Sequence, residues 1–384
     1  MRLWMMLRFF VKGGLITFSL AVLNLPVTGL SQLASSSIEA AQKYSASHNG
    51  IGMIVQERGQ LRYENYYNGY SGAPLHIYSG TKSFFGVLGV MAQEDGLFKL
   101  DDKASDTLEE WRGDPRKSEI RIRDLLNFTS GLETGFEEIY GRSSADRITL
   151  AVSLDATRDR GQSFVYGPGH INAFCEILRR KLKSKRMSYE QYLEKKLLGP
   201  LGIKMSRWRE DPAGNPIPSA GMYMTGKEWL KFGEFINAGG VAKGRTLVKT
   251  DSLAECFRGT SINPAFGLCF WLNGYAPQSN SREVDVEEDL ELDPMPENWS
   301  DACLAKGAPA DLVVSLGSTF QRLYLVPSMD LIVVHHGKPG HEFRDFDFLR
   351  ILFADAAAAP EPEPQKRKIK PLFPGLFKGR KQAQ

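Results

Sequence analysis

An α+β fold is what this sequence predicts: a mainly antiparallel sheet flanked by helices, with a mostly helical domain inserted in its middle. Three observations carry that expectation. Strand-like runs occur near residue 50 and return late, between residues 266 and 335. The long stretch between them reads mostly as helix, broken by Gly-, Pro- and Asp-rich connections. One run, Phe84 to Met91, is apolar on nearly all sides, as a helix at the centre of a protein is.

The elements follow in order. Arg2, Arg8 and Lys12 precede an apolar run from Leu15 to Val27, and Val27-Thr28-Gly29 suits a cleavage site. Residues 1–35 therefore read as an export signal, with an uncleaved anchor as the alternative. The run is short beside the about 20 residues of a membrane span. Residues 50–59 read as a strand ending in a turn, and Leu61 to Tyr67 as its return. Late strands are expected at Phe266–Tyr275, Leu312–Ser315, Leu323–Val326 and Leu331–His335, then an amphipathic helix from Phe343 to Phe353. A sheet domain of 36–100 plus 264–359 and a helical domain of 101–263 follow. The acidic stretch 276–311 reads as a surface loop. Beyond Pro360-Glu361-Pro362-Glu363-Pro364 lies a basic tail, 360–384, with Lys366-Arg367-Lys368 and then Leu372, Phe373, Leu376 and Phe377. It reads as a solvated disordered tail or as a weak contact for anionic lipid.

The chain has 384 residues, 42% hydrophobic and 24% charged, which suits one large or two intimate domains. That composition excludes a wholly disordered chain, a collagen-like chain and a polytopic membrane protein. The net charge of +3 is an average, since residues 36–359 alone carry −5. An acidic body gives no support to a nucleic-acid partner. Cys175, Cys256, Cys269 and Cys303 are far apart and show no metal-ligand spacing, so they read as buried apolar thiols. His335-His336 ends an apolar strand, where neighbours point to opposite faces and cannot chelate one ion. No metal and no cofactor are expected. G-x-S-x-G, G-x-x-x-x-G-K-[ST] and H-E-x-x-H are absent.

The chemical signal is Ser79-Gly80-Thr81-Lys82, the one S-x-x-K of the chain. At helical spacing its Ser and Lys share a face. A helix start supplies free N–H groups and a positive dipole end beside the reacting oxygen. The run after it is buried, and burial favours neutral Lys82, which can take the serine's proton. The bland alternative is an N-cap Ser with a snorkelling Lys.

Other segments agree in order. They are Asp95-Gly96-Leu97-Phe98-Lys99-Leu100-Asp101-Asp102, Ile120 to Leu132, Gly161-Gln162-Ser163-Phe164-Val165-Tyr166, Gly199-Pro200-Leu201-Gly202-Ile203, Phe266 to Trp271, and Ser315-Leu316-Gly317-Ser318 with its return Leu323 to Pro327. Across about 50–350 the chain resembles the serine β-lactamase-related hydrolases. These are the class C β-lactamases, D-Ala-D-Ala carboxypeptidases, esterases and 6-aminohexanoate-dimer hydrolases. The resemblance implies a β-lactamase/transpeptidase-like fold. It makes Ser79 the acylated nucleophile, Lys82 its activator and Tyr166 a general base or proton relay. The N–H groups of Ser79 and Ser318 would form the oxyanion hole, on a third motif of Ser315, Gly317 and Ser318.

Three departures qualify it. Phe128 stands where the family commonly has His. Tyr166-Gly167-Pro168 replaces Tyr-x-Asn, and Ser315-Leu316-Gly317 replaces Lys-Thr-Gly or His-x-Gly. The last two remove an amide contact and the cation that would grip a substrate carboxylate. The expectation is an exported, periplasmic or envelope-associated serine hydrolase acting on a small neutral ester or amide. A penicillin-recognising enzyme and a non-catalytic envelope-binding protein are the rivals.

Overall fold

The computed structural model describes residues 32–354, apart from 142–145, 275–279, 293 and 341. The export segment expected over 1–35 lies almost wholly outside the described residues, and so does the 360–384 tail.

Nine helices carry the argument: α1 (Ser35–Ser47), α2 (Thr81–Glu94), α3 (Ile122–Leu126), α4 (Phe136–Tyr140), α5 (Arg147–Ser153), α6 (Pro168–Leu182), α7 (Gly226–Asn237), α8 (Val286–Glu291) and α9 (Asp345–Leu352). Six strands form one sheet: β1 (Gly50–Glu57), β2 (Gln60–Tyr66), β3 (Trp271–Leu272), β4 (Val313–Gly317), β5 (Gln321–Val326) and β6 (Leu331–Gly337). Their spatial order is β2-β1-β6-β5-β4-β3, antiparallel throughout. Ile54 of β1 faces Val334 of β6, so among the described residues the first strand pairs with the last. The expected sheet built from both chain ends is what the fold contains.

Each central strand is buried along its whole length, because helices cover both faces. Residue alternation decides what each helix meets. On one face Gly233 of α7 comes so close to Leu323, Leu325 and Ile332 that an added Cβ would sit 2.9 Å from two of them. On the other face α1 and α9 take His335, whose Nε2 accepts from Ser45 at 2.7 Å and whose ring stacks on Phe343. His336 points the opposite way, its Nδ1–H donating to Gln321 at 2.8 Å. Both imidazoles are pulled down by burial, His335 to about 4 and His336 to about 3, so they stay neutral as packing groups.

Helix α2 is the core: every residue from Thr81 to Ala92 is buried. Its two glycines are needed for contact. A Cβ on Gly86 would lie 2.1 Å from the Leu268 carbonyl, and one on Gly89 2.7 Å from Leu126. The Phe84 ring stacks on Phe232 of α7 at 4.0 Å, joining α2 to the sheet layer. All four cysteines are free and buried.

Two expectations need correction. The strand expected over Phe266–Tyr275 is reduced to Trp271–Leu272 with a bridge from Phe266, and Tyr275 lies outside the described residues. Cys269 takes a left-handed φ of 61° and turns the chain so that Leu268 can press on Gly86. The stretch 276–311 is also more than a surface loop. Val284, Val286, Trp299 and Ala302 are buried, and the Trp299 ring packs on Phe164 and Trp271. Its acidic composition masks a few spaced apolar anchors.

Candidate active site

Ser79 sits in a 3-10 turn, Tyr78–Gly80, that runs straight into α2. Tyr78 just before it has a left-handed φ of 46°, a conformation costing about 1–2 kcal/mol in a non-glycine residue. The surroundings hold it there. The His76 ring lies 3.9 Å from the Tyr78 ring and stacks on Tyr223 at 4.4 Å. A Cβ on Gly80 would lie 2.6 Å from the Trp229 ring. Strained residues of this kind gather at functional sites.

Lys82 follows one turn later and is 3% exposed. Its Nζ lies 2.8 Å from Ser79 Oγ and 2.7 Å from the Ser219 carbonyl. It also lies 5.0 Å from the centre of the Tyr166 ring. No carboxylate joins it among the described residues, so desolvation is uncompensated and pulls the ammonium down to about 7. At neutral pH a large share of Lys82 is therefore a free amine.

Tyr166 precedes α6, which opens with Pro168 at a position needing no N–H donor. The α6 stripe Ile171, Phe174, Leu178 and Leu182 is buried and fixes the entry of that chain. The Tyr166 ring is enclosed by Phe128 at 5.1 Å and Trp271 at 6.0 Å. Burial pushes its phenol well up, against a smaller opposing influence from Ser79. At neutral pH Tyr166 keeps its proton. Phe128 stacks on His170 at 5.0 Å, so an imidazole from α6 lies against the position where the sequence resemblance implies one.

The third motif meets the turn that carries Ser79 directly. A Cβ on Gly317 would lie 2.0 Å from the Ile77 carbonyl and 3.2 Å from the Gly80 nitrogen. Only glycine lets β4 lie flush against that turn. Ser315 Oγ donates to the Gly80 carbonyl at 3.2 Å, so its hydroxyl is committed to the fold. Ser318 is exposed at the strand end, and its N–H has no protein acceptor among the described residues.

A sequence model described as Beta-lactamase matches residues 36–338. The chain belongs to the beta-lactamase family. No curated protein matches the chain. Solved structures of similar fold include a Bacillus anthracis protein assigned as a 6-aminohexanoate-dimer hydrolase, at 16% identity and TM-score 0.62, with 84% of this chain and 83% of that one covered. EstCE1, a hydrolase with promiscuous acyltransferase activity, matches at 14% identity and TM-score 0.60, over 84% and 98%. A D-stereospecific amidohydrolase from Streptomyces sp. matches at 13% identity and TM-score 0.57, over 83% and 98%. These likenesses agree with the mainly antiparallel sheet flanked by helices, and the beta-lactamase fold is shared with hydrolases.

All the residues expected to form the site of this beta-lactamase-family chain converge from three segments: Ser79 and Lys82, Tyr166, and Ser315 to Ser318. Two groups had no sequence signal. Ser219 lends its carbonyl to Lys82, and its hydroxyl meets the Tyr140 hydroxyl of α4 at 2.8 Å. Neither belongs to a motif, and both arrive through loop geometry. A hollow of about 660 Å3 at the C-terminal end of α6, lined by Arg179, Arg180, Lys183 and Arg186, includes none of these residues. Ionisable geometry around Ser79 marks the site better than the size of a surface hollow.

Proposed function

We propose that this protein is a serine hydrolase that forms an acyl-enzyme on Ser79 and cleaves a small neutral ester or amide. The observation that carries the reading is the Lys82 amine 2.8 Å from Ser79 Oγ, buried without a carboxylate and pulled to about 7. In the first step Ser79 Oγ bonds to the substrate carbonyl carbon and its proton passes to Lys82. The N–H groups of Ser79 and Ser318 take the charge that builds on the carbonyl oxygen. Lys82 returns the proton, through the Tyr166 hydroxyl, to the leaving alcohol or amine as its bond to carbon breaks. Water then attacks the ester on Ser79 by the same proton path in reverse. The direction of the two shifts supports this division, in which Lys82 accepts the proton and Tyr166, its phenol kept protonated, relays it.

The substrate class follows from the third motif. Ser315 stands where relatives carry a cation, and its hydroxyl is occupied by the Gly80 carbonyl. Neutral substrates lose nothing by that change. The names of two similar structures, a 6-aminohexanoate-dimer hydrolase and a D-stereospecific amidohydrolase, are consistent with it. Export to the periplasm or envelope belongs to the same proposal and rests on the N-terminal sequence. So does a weak contact of the basic tail with anionic lipid.

The test is a panel of aryl esters, short amides, D-Ala-D-Ala peptides and nitrocefin, run beside fluorophosphonate labelling of wild type and Ser79→Ala. Labelling and turnover of neutral esters or amides, both lost in Ser79→Ala, are expected. Full labelling of the variant would refute the nucleophile. Preferential turnover of nitrocefin would move the chain to the penicillin-recognising reading, and an inert wild type to the binding-protein reading.

A further inference from the structure

The turn that carries the Ser318 N–H is strained. Ser318, Thr319 and Phe320 join β4 to β5, and Thr319 and Phe320 take consecutive left-handed φ values of 59° and 58°. Neither is a glycine. Such residues persist only where surrounding contacts over-determine them, and they gather at functional sites.

The contacts come from a charged cluster on the face of the sheet opposite the nucleophile. Arg322 of β5 is 0% exposed. Its Nε and Nη2 grip Asp345 of α9 at 2.8 and 3.0 Å, a bidentate pair. Its Nη1 donates to the Gly317 carbonyl at 2.6 Å and reaches Glu287 at 3.2 Å. The guanidinium also lies 5.4 Å from the centre of the Phe320 ring. Glu287 belongs to α8, inside the acidic insertion, and its Oε1 accepts the Phe320 N–H at 3.1 Å. The Phe320 carbonyl accepts from His335 Nδ1 at 2.8 Å.

A buried ion cluster is a costly way to hold a sheet together, since well-packed apolar residues serve stability as well or better. What charges supply is direction. Here one guanidinium ties a helix, an insertion and the Gly317 carbonyl to a single point. The Phe320 N–H and carbonyl on the far side of the turn are fixed as well. The peptide between Gly317 and Ser318 is thereby fixed in orientation, and that peptide holds the Ser318 N–H.

We propose that Arg322, Asp345 and Glu287 are positioning residues for the oxyanion hole, with Glu287 coupling the acidic insertion to the turn at Ser318. The inference rests on the reading of Ser79 as nucleophile and of Ser318 N–H as an oxyanion donor. Losing one such donor costs about 10²–10³ in kcat, and a misplaced one costs part of that. The effect belongs to the transition state and not to ground-state binding.

Glu287 is the residue to change, because its side chain is 18% exposed while Arg322 is wholly buried. Glu287→Ala and Glu287→Gln are compared in the full-length chain. Readouts are kcat and KM on a neutral aryl ester that wild type turns over, the affinity of phenylboronic acid as a tetrahedral adduct on Ser79, and the urea midpoint. Glu287→Ala is expected to lower kcat about tenfold or more with KM within about twofold, and to weaken the boronate by a similar factor. Glu287→Gln keeps the Oε1 acceptor for the Phe320 N–H and is expected to recover most of both. If Glu287→Ala does not fold, Glu287→Asp, one methylene shorter, is expected to show the same loss. Wild-type kcat and boronate affinity in the shortened variant would overturn the proposal. So would a Gln variant no better than Ala, or losses that merely track the urea midpoint. Hydrolysis that survives Ser79→Ala would instead overturn the nucleophile reading, so the two failures are told apart.

Discussion

Replacing Lys82 by Met should stabilise the protein while abolishing turnover, and the stabilisation should depend on pH in a set direction. Lys82 is buried and pulled from 10.5 to about 7 by desolvation. A drop of that size corresponds to about 5 kcal/mol between the two protonation states. Its sign follows from proton counting. Between about pH 7 and 10.5 the unfolded chain holds the Lys82 proton and the folded protein does not. Wild-type stability from this group therefore rises with pH across that window, and the burial cost is full below pH 7. Met keeps the volume and removes the charge. It also forfeits the contacts to Ser79 and the Ser219 carbonyl, together worth about 2–3 kcal/mol once the unpaired carbonyl is included. At pH 6 the variant should be more stable by about 2 kcal/mol. From pH 7 to pH 9 that advantage should fall by roughly 2 kcal/mol and then reverse. Urea unfolding followed by circular dichroism at half-unit steps from pH 6 to 9 measures it. A difference that stays flat across the range would mean that Lys82 does not titrate near neutrality, and the amine could not serve as the proton acceptor.

Two further outcomes follow from the same geometry. Tyr166→Phe keeps the ring against Phe128 and Trp271 and removes only the hydroxyl, so kcat should fall about 10²–10⁴-fold with KM little changed in steady-state kinetics; unchanged kcat would reduce Tyr166 to packing. Gly86→Ala gains about 1 kcal/mol of helix propensity but places a Cβ 2.1 Å from the Leu268 carbonyl, which must shift at a cost of about 1–3 kcal/mol or more, so the melting temperature should drop; a rise would refute the close approach of α2 to that turn.

Much of this architecture was legible in the sequence because it obeys simple periodicities. The 50–57 and 331–337 strands contain the apolar runs Ile51–Val55 and Leu331–Val334, and α2 is apolar on nearly all sides from Phe84 to Met91, so each announces its burial. The contact of Ser79 with Lys82 was legible because the two lie three residues apart on one turn. The third motif's Ser315 was legible as a position, but its commitment to the Gly80 carbonyl was not. What stayed hidden depends on backbone conformation and long separations. The turn at Cys269 looks like strand because a left-handed φ leaves no mark on composition. Ser219 meets Lys82 across 137 positions through a carbonyl, a group every residue owns. Glu287 reads as one more surface acid among many, and only the fold shows it turned onto Arg322.

The pairing of β1 with β6 also fixes an order of events in folding. The hairpin of β1 and β2 is complete by residue 66, yet β1 cannot find its second partner until residues 331–337 exist. Until then β1 presents an open edge, and α7, which covers α2 through Phe232, lacks β6 as part of its sheet floor. An unpaired apolar edge and an uncovered apolar helix are the surfaces on which nascent chains stick to one another. β1 therefore gains its second partner, and α7 the rest of its sheet floor, in one late step. Truncation between Lys82 and β6 keeps the S-x-x-K sequence but leaves β1 without its second partner.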